Sequence, residues 1–303
     1  MKPSGDRQLQ IRRDARPEGL IAYVTIDNAG RLNAINSALM DELIAGMGEL
    51  TTEERLRAVV LTGAGAKAFI AGVDINEMAR IENAARATAF ITRLHQCLAA
   101  IRDVPVPVIA RIQGYAFGGG LELAAACDVR IAADTAVFGM PEVQLGIPSV
   151  IEAALLPTLI GWGRAREIMY LGENFTAGEA RGWGLVEHVV PAATLDAAVE
   201  AWIAKLLTSA PHAVRLQKQL IRRWEDLPLA DHVDDANVSG GVVTQIITAG
   251  STGDYNDLVF RIAQSDTPAT VPEPASVTLL CAGLFGIGLL RRRCHEAISA
   301  EIA

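Results

Sequence analysis

Short apolar runs of strand length alternate with amphipathic helices along most of this chain, and this alternation most constrains its fold. Residues 19–27 and 57–63 are predicted strands, because each is an apolar run that ends in a turn-forming residue. Between them, Ser37 opens a helix whose apolar residues recur at helical spacing. The alternation shows no textual repeat of fixed period, and it predicts an α/β architecture in one large domain.

The same order continues past the middle of the chain. Residues 106–112 are an apolar run that leads into Gly118-Gly119-Gly120. Residues 121–127 then follow as a predicted helix and residues 129–132 as the next strand. From residue 193 to about residue 223 the pattern is entirely helical.

Two glutamates twenty residues apart carry the strongest chemical signal. Glu122 follows the triple glycine, and Glu142 lies in an apolar, glycine-containing stretch at residues 138–146. A carboxylate in such surroundings is costly to bury unless it has a partner or chemical work to do. The pair therefore indicates a general acid and a general base, and we expect an enzyme.

Charge and cysteine content narrow the class of protein. The 35 acidic and 27 basic side chains leave a net charge of -8, which argues against a nucleic-acid surface. The four cysteines have no metal-ligand spacing, and a chain of 303 residues without a disulfide framework fits a reducing cytoplasm. Residues 1–16 are polar, so we expect no export signal at this end.

Three segments together resemble the crotonase family, the enoyl-CoA hydratase and isomerase enzymes. Residues 67–78 are similar to its coenzyme A and oxyanion loop, and residues 114–122 and 138–146 to its two catalytic segments, in the right order and separation. The resemblance covers roughly residues 15–225. It implies an α/β, crotonase-like spiral of ββα units over residues 1–190, with a helical trimerisation region at residues 191–263.

The resemblance also implies the roles of individual residues. Glu122 and Glu142 would be the catalytic pair, and the N–H groups of Val73 and Gly119 would form the oxyanion hole. Coenzyme A would enter as part of the substrate, with no tightly bound cofactor. The residues implied in binding it are Ala34, Ile35, Lys67, Ala71, Asp74 and Ile75.

Hydration of a trans-2-enoyl-CoA is the predicted reaction. Glu122 would deprotonate a water that adds to Cβ, and Glu142 would deliver a proton to Cα. One alternative is Δ3,Δ2-enoyl-CoA isomerisation or another acyl-CoA lyase reaction of the family. A second, of another class, is a non-catalytic, membrane-tethered acyl-CoA-binding protein. The expected assembly is a homotrimer or hexamer, with no nucleic-acid partner.

Some residues leave alternatives open. A later lysine of the family is replaced by Asn76, and Lys218, Arg222 and Arg223 are either substitutes for it or a solvated helical face. Asp128 is interpreted as a local cap. The five histidines have neither ligand spacing nor a neighbouring nucleophile, so no metal is expected.

The stretch after Gly146 differs from the glycine-rich sequence of many hydratases. Bulkier side chains at residues 147–157 are expected to reshape the acyl pocket. Glu152 adds a third acid there. It either recognises a polar acyl group or caps and pairs at a helix start.

The last forty residues, 264–303, do not fit the crotonase pattern. A Pro-Glu-Pro motif at 272–274, an apolar run at 275–290 and three arginines at 291–293 resemble a PEP-CTERM sorting signal. The run is just short of the roughly 17 to 25 residues that span a bilayer. Three interpretations of this segment are open: a membrane anchor on a cytoplasmic-side enzyme, an accidental or chimeric extension, and a diverged packed helix. We expect a cytoplasmic protein, or alternatively one tethered to the inner membrane through residues 275–290.

Overall fold

The computed structural model describes residues 8–226, which form ten strands and eight α-helices. The strands are β1 (Leu9–Arg16), β2 (Gly19–Ile26), β3 (Leu56–Gly63), β4 (Ala68–Ile70), β5 (Val108–Ile112), β6 (Tyr115–Phe117), β7 (Val129–Ala133), β8 (Val137–Gly139), β9 (Asn174–Thr176) and β10 (His188–Val190). The helices are α1 (Ser37–Thr51), α2 (Ile75–Met78), α3 (Ala84–Arg102), α4 (Gly119–Ala126), α5 (Leu156–Leu171), α6 (Ala177–Trp183), α7 (Leu195–Leu207) and α8 (Pro211–Asp226).

Two sheets share these strands. One has the order β1-β2-β3-β5-β7-β10 and is parallel except for the β1–β2 pair. The other has the order β4-β6-β8-β9 and is parallel except for the β8–β9 pair. The pairs β3-β4, β5-β6 and β7-β8 each place one strand in each sheet before a helix follows, which confirms the predicted spiral of ββα units.

The six-stranded sheet is buried on both faces. One face contributes to the main core with α1, α3 and α4. The other is covered by α7, whose Leu195, Val199 and Ile203 pack in one cluster with Ile21 and Val60 of the sheet. Parallel strands buried in this way read as continuous apolar runs, which is why β2 and β3 were recognisable in the sequence.

Strand β1 lies in the polar start of the chain, where no strand was predicted. It pairs with β2 along its whole length, from Leu9 opposite Ile26 to Arg16 opposite Gly19. Only Leu9 of its eight residues is buried. An edge strand with one buried residue has almost no apolar signature, so its pairing follows from β2 and the short turn between them.

An ion pair between a buried lysine and a partly exposed aspartate fastens α8 to the core. Lys218 Nζ lies 2.7 Å from Asp128 Oδ2 and donates to the carbonyl oxygen of Val106 at 2.9 Å. Asp128 also accepts the N–H of Val108 at 2.7 Å. Asp128 therefore has a structural role, but it links β5 to α8 and does not act as the predicted local cap. Lys218 is committed to this pair, which contradicts its suggested role in binding phosphate.

The tail falls outside the described residues, including the Pro-Glu-Pro motif and the apolar run at 275–290. The boundaries at residues 190 and 263 remain a prediction. Within residues 8–226, no helix combines the length and the apolar character needed to cross a bilayer.

Arg130 joins the end of α4 to the segment before β10, and its replacement tests this connection. The guanidinium is buried and donates to the carbonyl oxygens of Cys127 and Leu185, both at 2.7 Å, while also pairing with Glu187. Arg130→Met should lower the free energy of unfolding by about 3 kcal/mol, because these acceptors lose their donor inside the protein. Urea unfolding measures it.

Arg86→Met is the matched control, because Arg86 forms an exposed pair with Glu82 on α3. Its effect should stay below about 1 kcal/mol. Equal losses in the two variants would contradict the structural role of Arg130.

Candidate active site

A glycine turn between β6 and α4 brings two chain segments into contact. Gly118 has φ +51°, and its N–H donates to the carbonyl oxygen of Gly139 at 2.9 Å. A Cβ at this position would lie 2.4 Å from Glu142 Oε1. Only glycine combines this backbone angle with so close an approach, so the turn seats the Glu142 carboxyl against the start of α4.

Two backbone N–H groups meet beside this turn. The segment before α2 is tied to Ile35, whose N–H donates to Gly72 O at 2.9 Å and whose carbonyl accepts from Asp74 N at 2.8 Å. In such an extended segment successive N–H groups alternate in direction. The N–H group of Val73 therefore faces away from Ile35. A Cβ on Gly119 would lie 3.9 Å from Val73 N.

Neither of these N–H groups donates to another residue of the described chain. For Gly119 the reason is its place in the first turn of α4, where helical N–H groups have no partner within the helix. Both residues line one cavity of about 130 Å³. The cavity therefore has two adjacent hydrogen-bond donors in its wall.

The rest of the cavity is mainly apolar, and both predicted catalytic glutamates line it. Its apolar wall includes Met78, Phe90, Leu94, Leu145, Ile147 and Val150. The structure thus brings Glu122, Glu142, Val73 and Gly119 together in one cavity.

Glu122 is almost fully buried, with 3% of its surface exposed. Burial, and next the charge of Glu142, raise the pKa of Glu122 to about 8, against the lowering effect of a hydrogen bond from Ala153 N. That bond is 3.1 Å long and reaches Oε1. Ala153 was not singled out in the sequence, since a backbone donor leaves no side-chain signal.

Glu142 lies in a 3₁₀ turn, Pro141–Leu145, and is only partly buried. Burial raises the pKa of this carboxyl above its usual range, while a hydrogen bond from Ser149 opposes the rise. Ser149 Oγ donates to Oε2 at 3.2 Å.

Two like charges in one apolar cavity are unfavourable, so the pair titrates as a unit. With one pKa near 8, a single proton stays on the pair at neutral pH. Glu122 has the stronger hold on it, because it is more deeply buried and faces the other acids. The arrangement suits proton transfer in both directions.

The residues implied in coenzyme A binding lie in different settings. Ala71 and Ile75 line the cavity, while Ala34 and Ile35 form the neighbouring segment. Lys67 is exposed and is not part of the cavity lining.

Asp74 has a structural task. Its carboxylate caps α2 by accepting the N–H of Asn76 at 2.9 Å, and it pairs with Arg31 at 2.6 Å. Burial alone would raise the pKa of Asp74, but these hydrogen bonds outweigh burial and lower it.

The third acid and one histidine form a pair behind the cavity. Glu152 Oε1 lies 2.8 Å from His95 Nδ1, so His95 has a carboxyl partner. Glu152 pairs but does not cap a helix, since its turn has no side-chain cap. No group of three or more metal-ligating side chains occurs within residues 8–226.

Comparison with known families gives two matches. The model of the family described as Enoyl-CoA hydratase/isomerase matches residues 16–237. The model described as PEP-CTERM protein-sorting motif matches residues 270–293, beyond the described part of the chain.

Individual relatives agree with the first match. The chain is 40% identical over 207 residues to a short-chain-enoyl-CoA hydratase of Clostridium acetobutylicum, covering 68% of this chain and 79% of that protein. It resembles the crystal structure of an enoyl-CoA hydratase from Bacillus anthracis, with TM-score 0.70, 35% identity, and 75% and 86% of the two chains covered. For an enoyl-CoA hydratase from Mycobacterium smegmatis these values are 0.73, 31%, 77% and 89%.

Replacing Glu122 by Gln should change how stability depends on pH. The folded pKa near 8 lies above the ordinary 4.5, so the wild-type protein loses stability as pH rises between these values. Each pH unit in this window should cost about 1.4 kcal/mol. Glu122→Gln removes the loss, and urea unfolding at a series of pH values should show the two stability curves diverging. Parallel curves would contradict the raised pKa.

Proposed function

The chain belongs to the enoyl-CoA hydratase/isomerase family, and from this premise we propose that it hydrates trans-2-enoyl-CoA thioesters to 3-hydroxyacyl-CoA thioesters. One observation carries the proposal: a buried and a partly buried carboxyl group and two available backbone N–H groups line a single apolar cavity. The coenzyme A group enters with the substrate, and no other cofactor is required.

The two N–H groups form the proposed oxyanion hole. When water adds at Cβ, the thioester carbonyl oxygen gains the negative charge of an enolate. The N–H groups of Val73 and Gly119 would donate to this oxygen, and the N-terminus of α4 adds the favourable end of its dipole. Each such donor contributes about 3 to 4 kcal/mol to transition-state stabilisation.

The two carboxyl groups move the protons. In hydration, Glu122 takes a proton from water as the water oxygen bonds to Cβ, and Glu142 gives a proton to Cα. In dehydration each group performs the reverse step. Both directions require one proton on the pair, which burial and mutual repulsion provide. Dehydration starts from the form with the proton on Glu122, which the stronger proton affinity of Glu122 favours. Hydration starts from the form with the proton on Glu142.

A second carboxyl in the cavity favours hydratase over isomerase activity. Isomerisation needs one acid-base group, and a second, partly buried acid would only add an energetic cost. The same argument disfavours a non-catalytic binding protein, since binding an acyl chain requires neither acid.

Coenzyme A is proposed to lie along the exposed side of the cavity. Ala71 and Ile75 line that cavity, and the backbone of Ala34 and Ile35 runs alongside the same loop. Asp74 would act indirectly, by holding α2 in place through its cap. Lys67 is exposed and available for a phosphate group.

We further propose a homotrimer or hexamer. Trp162, Tyr170 and Leu171 of α5 are between 52% and 73% exposed, and burying such large apolar surfaces between subunits would be favourable. A cytoplasmic location is proposed because an acyl-CoA substrate and the two free buried cysteines, Cys97 and Cys127, suit that compartment. Tethering through residues 275–290 is the alternative, supported by the sorting-motif match.

Crotonyl-CoA tests the reaction. Wild-type protein should remove the enoyl thioester absorbance, and Glu122→Gln and Glu142→Gln should each lower kcat by roughly 10² to 10⁴, the usual contribution of general acid-base catalysis. A 3-enoyl-CoA assayed in parallel measures isomerisation. Hydration by the wild type no faster than by the variants would reject the proposal, and a faster isomerisation would favour the alternative.

The pH dependence of kcat/KM should be bell-shaped. Activity should fall at high pH as the pair loses its last proton near pH 8, and at low pH as the second carboxyl becomes protonated. The acid limb should lie above 4.5, since the pKa of Glu142 is also raised. A flat profile through pH 8 would show that the shared proton plays no part.

A further inference from the structure

Glu152 is a third buried carboxyl, directly behind the catalytic pair. It belongs to the 3₁₀ turn Ile151–Leu155, is only 4% exposed, and does not line the cavity. Its Oε1 pairs with His95, while its Oε2 is buried and has no hydrogen-bond partner among the described residues. A carboxyl kept inside the protein with one oxygen unsatisfied is costly, so its position needs a reason.

The backbone of the same turn is strained and connects it to Glu122. Ile151 has φ +62°, an unfavourable angle for a β-branched residue, and its side chain lines the cavity. Two residues later, Ala153 N donates to Glu122 Oε1 at 3.1 Å. One turn therefore supplies both the donor that orients Glu122 and a charge close behind it.

The titratable groups around Glu152 come from two helices. Helix α3 contributes His95, Arg102 and the buried Cys97, and α4 contributes Glu122. The beginning of α5, residues 156–162, carries no titratable side chain. Burial raises the pKa of Glu152, whereas His95 and then Arg102 oppose this. In turn, the charge of Glu152 favours the protonated form of Glu122.

We propose that Glu152 is a positioning residue for the acid-base pair. With His95 as its partner, it anchors the turn that orients Glu122 and places a negative charge where it keeps the shared proton on the pair at neutral pH. The side chain of His95 is 58% exposed, so the partner of Glu152 is accessible from solvent. The inference rests on the proposed hydration and adds to it a residue that does not touch substrate.

Glu152→Gln tests the charge with little change in shape. The basic limb of the kcat/KM profile should move to lower pH, because a neighbouring negative charge has been removed. His95→Leu should move it the same way, since a buried carboxyl without its partner favours the neutral form. The double variant should shift the limb no further than Glu152→Gln, because both changes act through one charge.

A second measurement does not depend on turnover. The infrared carbonyl band of the protonated Glu122, assigned by its loss in Glu122→Gln, should titrate at lower pH in Glu152→Gln than in wild type. Arg86→Gln, on the exposed part of α3, is the control and should leave both profiles unchanged. If Glu152→Gln fails to fold, His95→Leu carries the test with the turn intact.

The outcomes separate this inference from the proposed function. A shifted infrared band without any hydration by the wild type would reject the function and support the role of Glu152. Normal hydration, with the basic limb and the band unmoved in folded variants, would overturn the role of Glu152 alone.

Discussion

The close approach of three chain segments to the glycine run at the start of α4 is the constraint on which the site depends. A Cβ on Gly118 would meet the Glu142 carboxyl at 2.4 Å, and one on Gly119 would meet Val73 Cγ2 at 2.8 Å. A Cβ on Gly120 would lie 2.1 Å from the carbonyl oxygen of Ile70. Because each glycine lacks a side chain, a different segment can approach it closely. Glu142, the N–H group of Val73 and strand β4 therefore converge on the N-terminus of α4.

Charged residues in this protein fall into two groups, which differ in how well close partners compensate their burial. Arg130 and the Lys218–Asp128 pair are satisfied by close partners, and they hold helices and strands together. The three acids near the cavity are fully or partly buried with few compensating bonds, and their pKa values are raised. Burial that few hydrogen bonds compensate raises the pKa of a carboxyl, so that it can exchange a proton near neutral pH. In this protein such carboxyls lie where the chemistry is proposed.

Recognition from sequence succeeded for the family and the fold, which depend on short motifs and on apolar runs. The glycine run and the loop at residues 67–78 are local motifs, and the doubly buried strands are apolar throughout. It failed where the partner is distant. Strand β1 has one buried residue, and nothing in the sequence indicates that His95 and Glu152, 57 residues apart, are in contact. For Lys218 the sequence allowed a phosphate ligand or a solvated cation, and only its contact with Asp128 shows that it is neither.

By itself, the sequence determined the α/β class, the repeated ββα order and the family, because these depend on periodicity and on short motifs. The tertiary structure alone decided which oxygen of Glu122 accepts from Ala153, which N–H groups remain available, and which acid holds the proton more firmly. Those properties depend on burial and on distances between segments far apart in the chain. Neither quantity is encoded in any local pattern of residues.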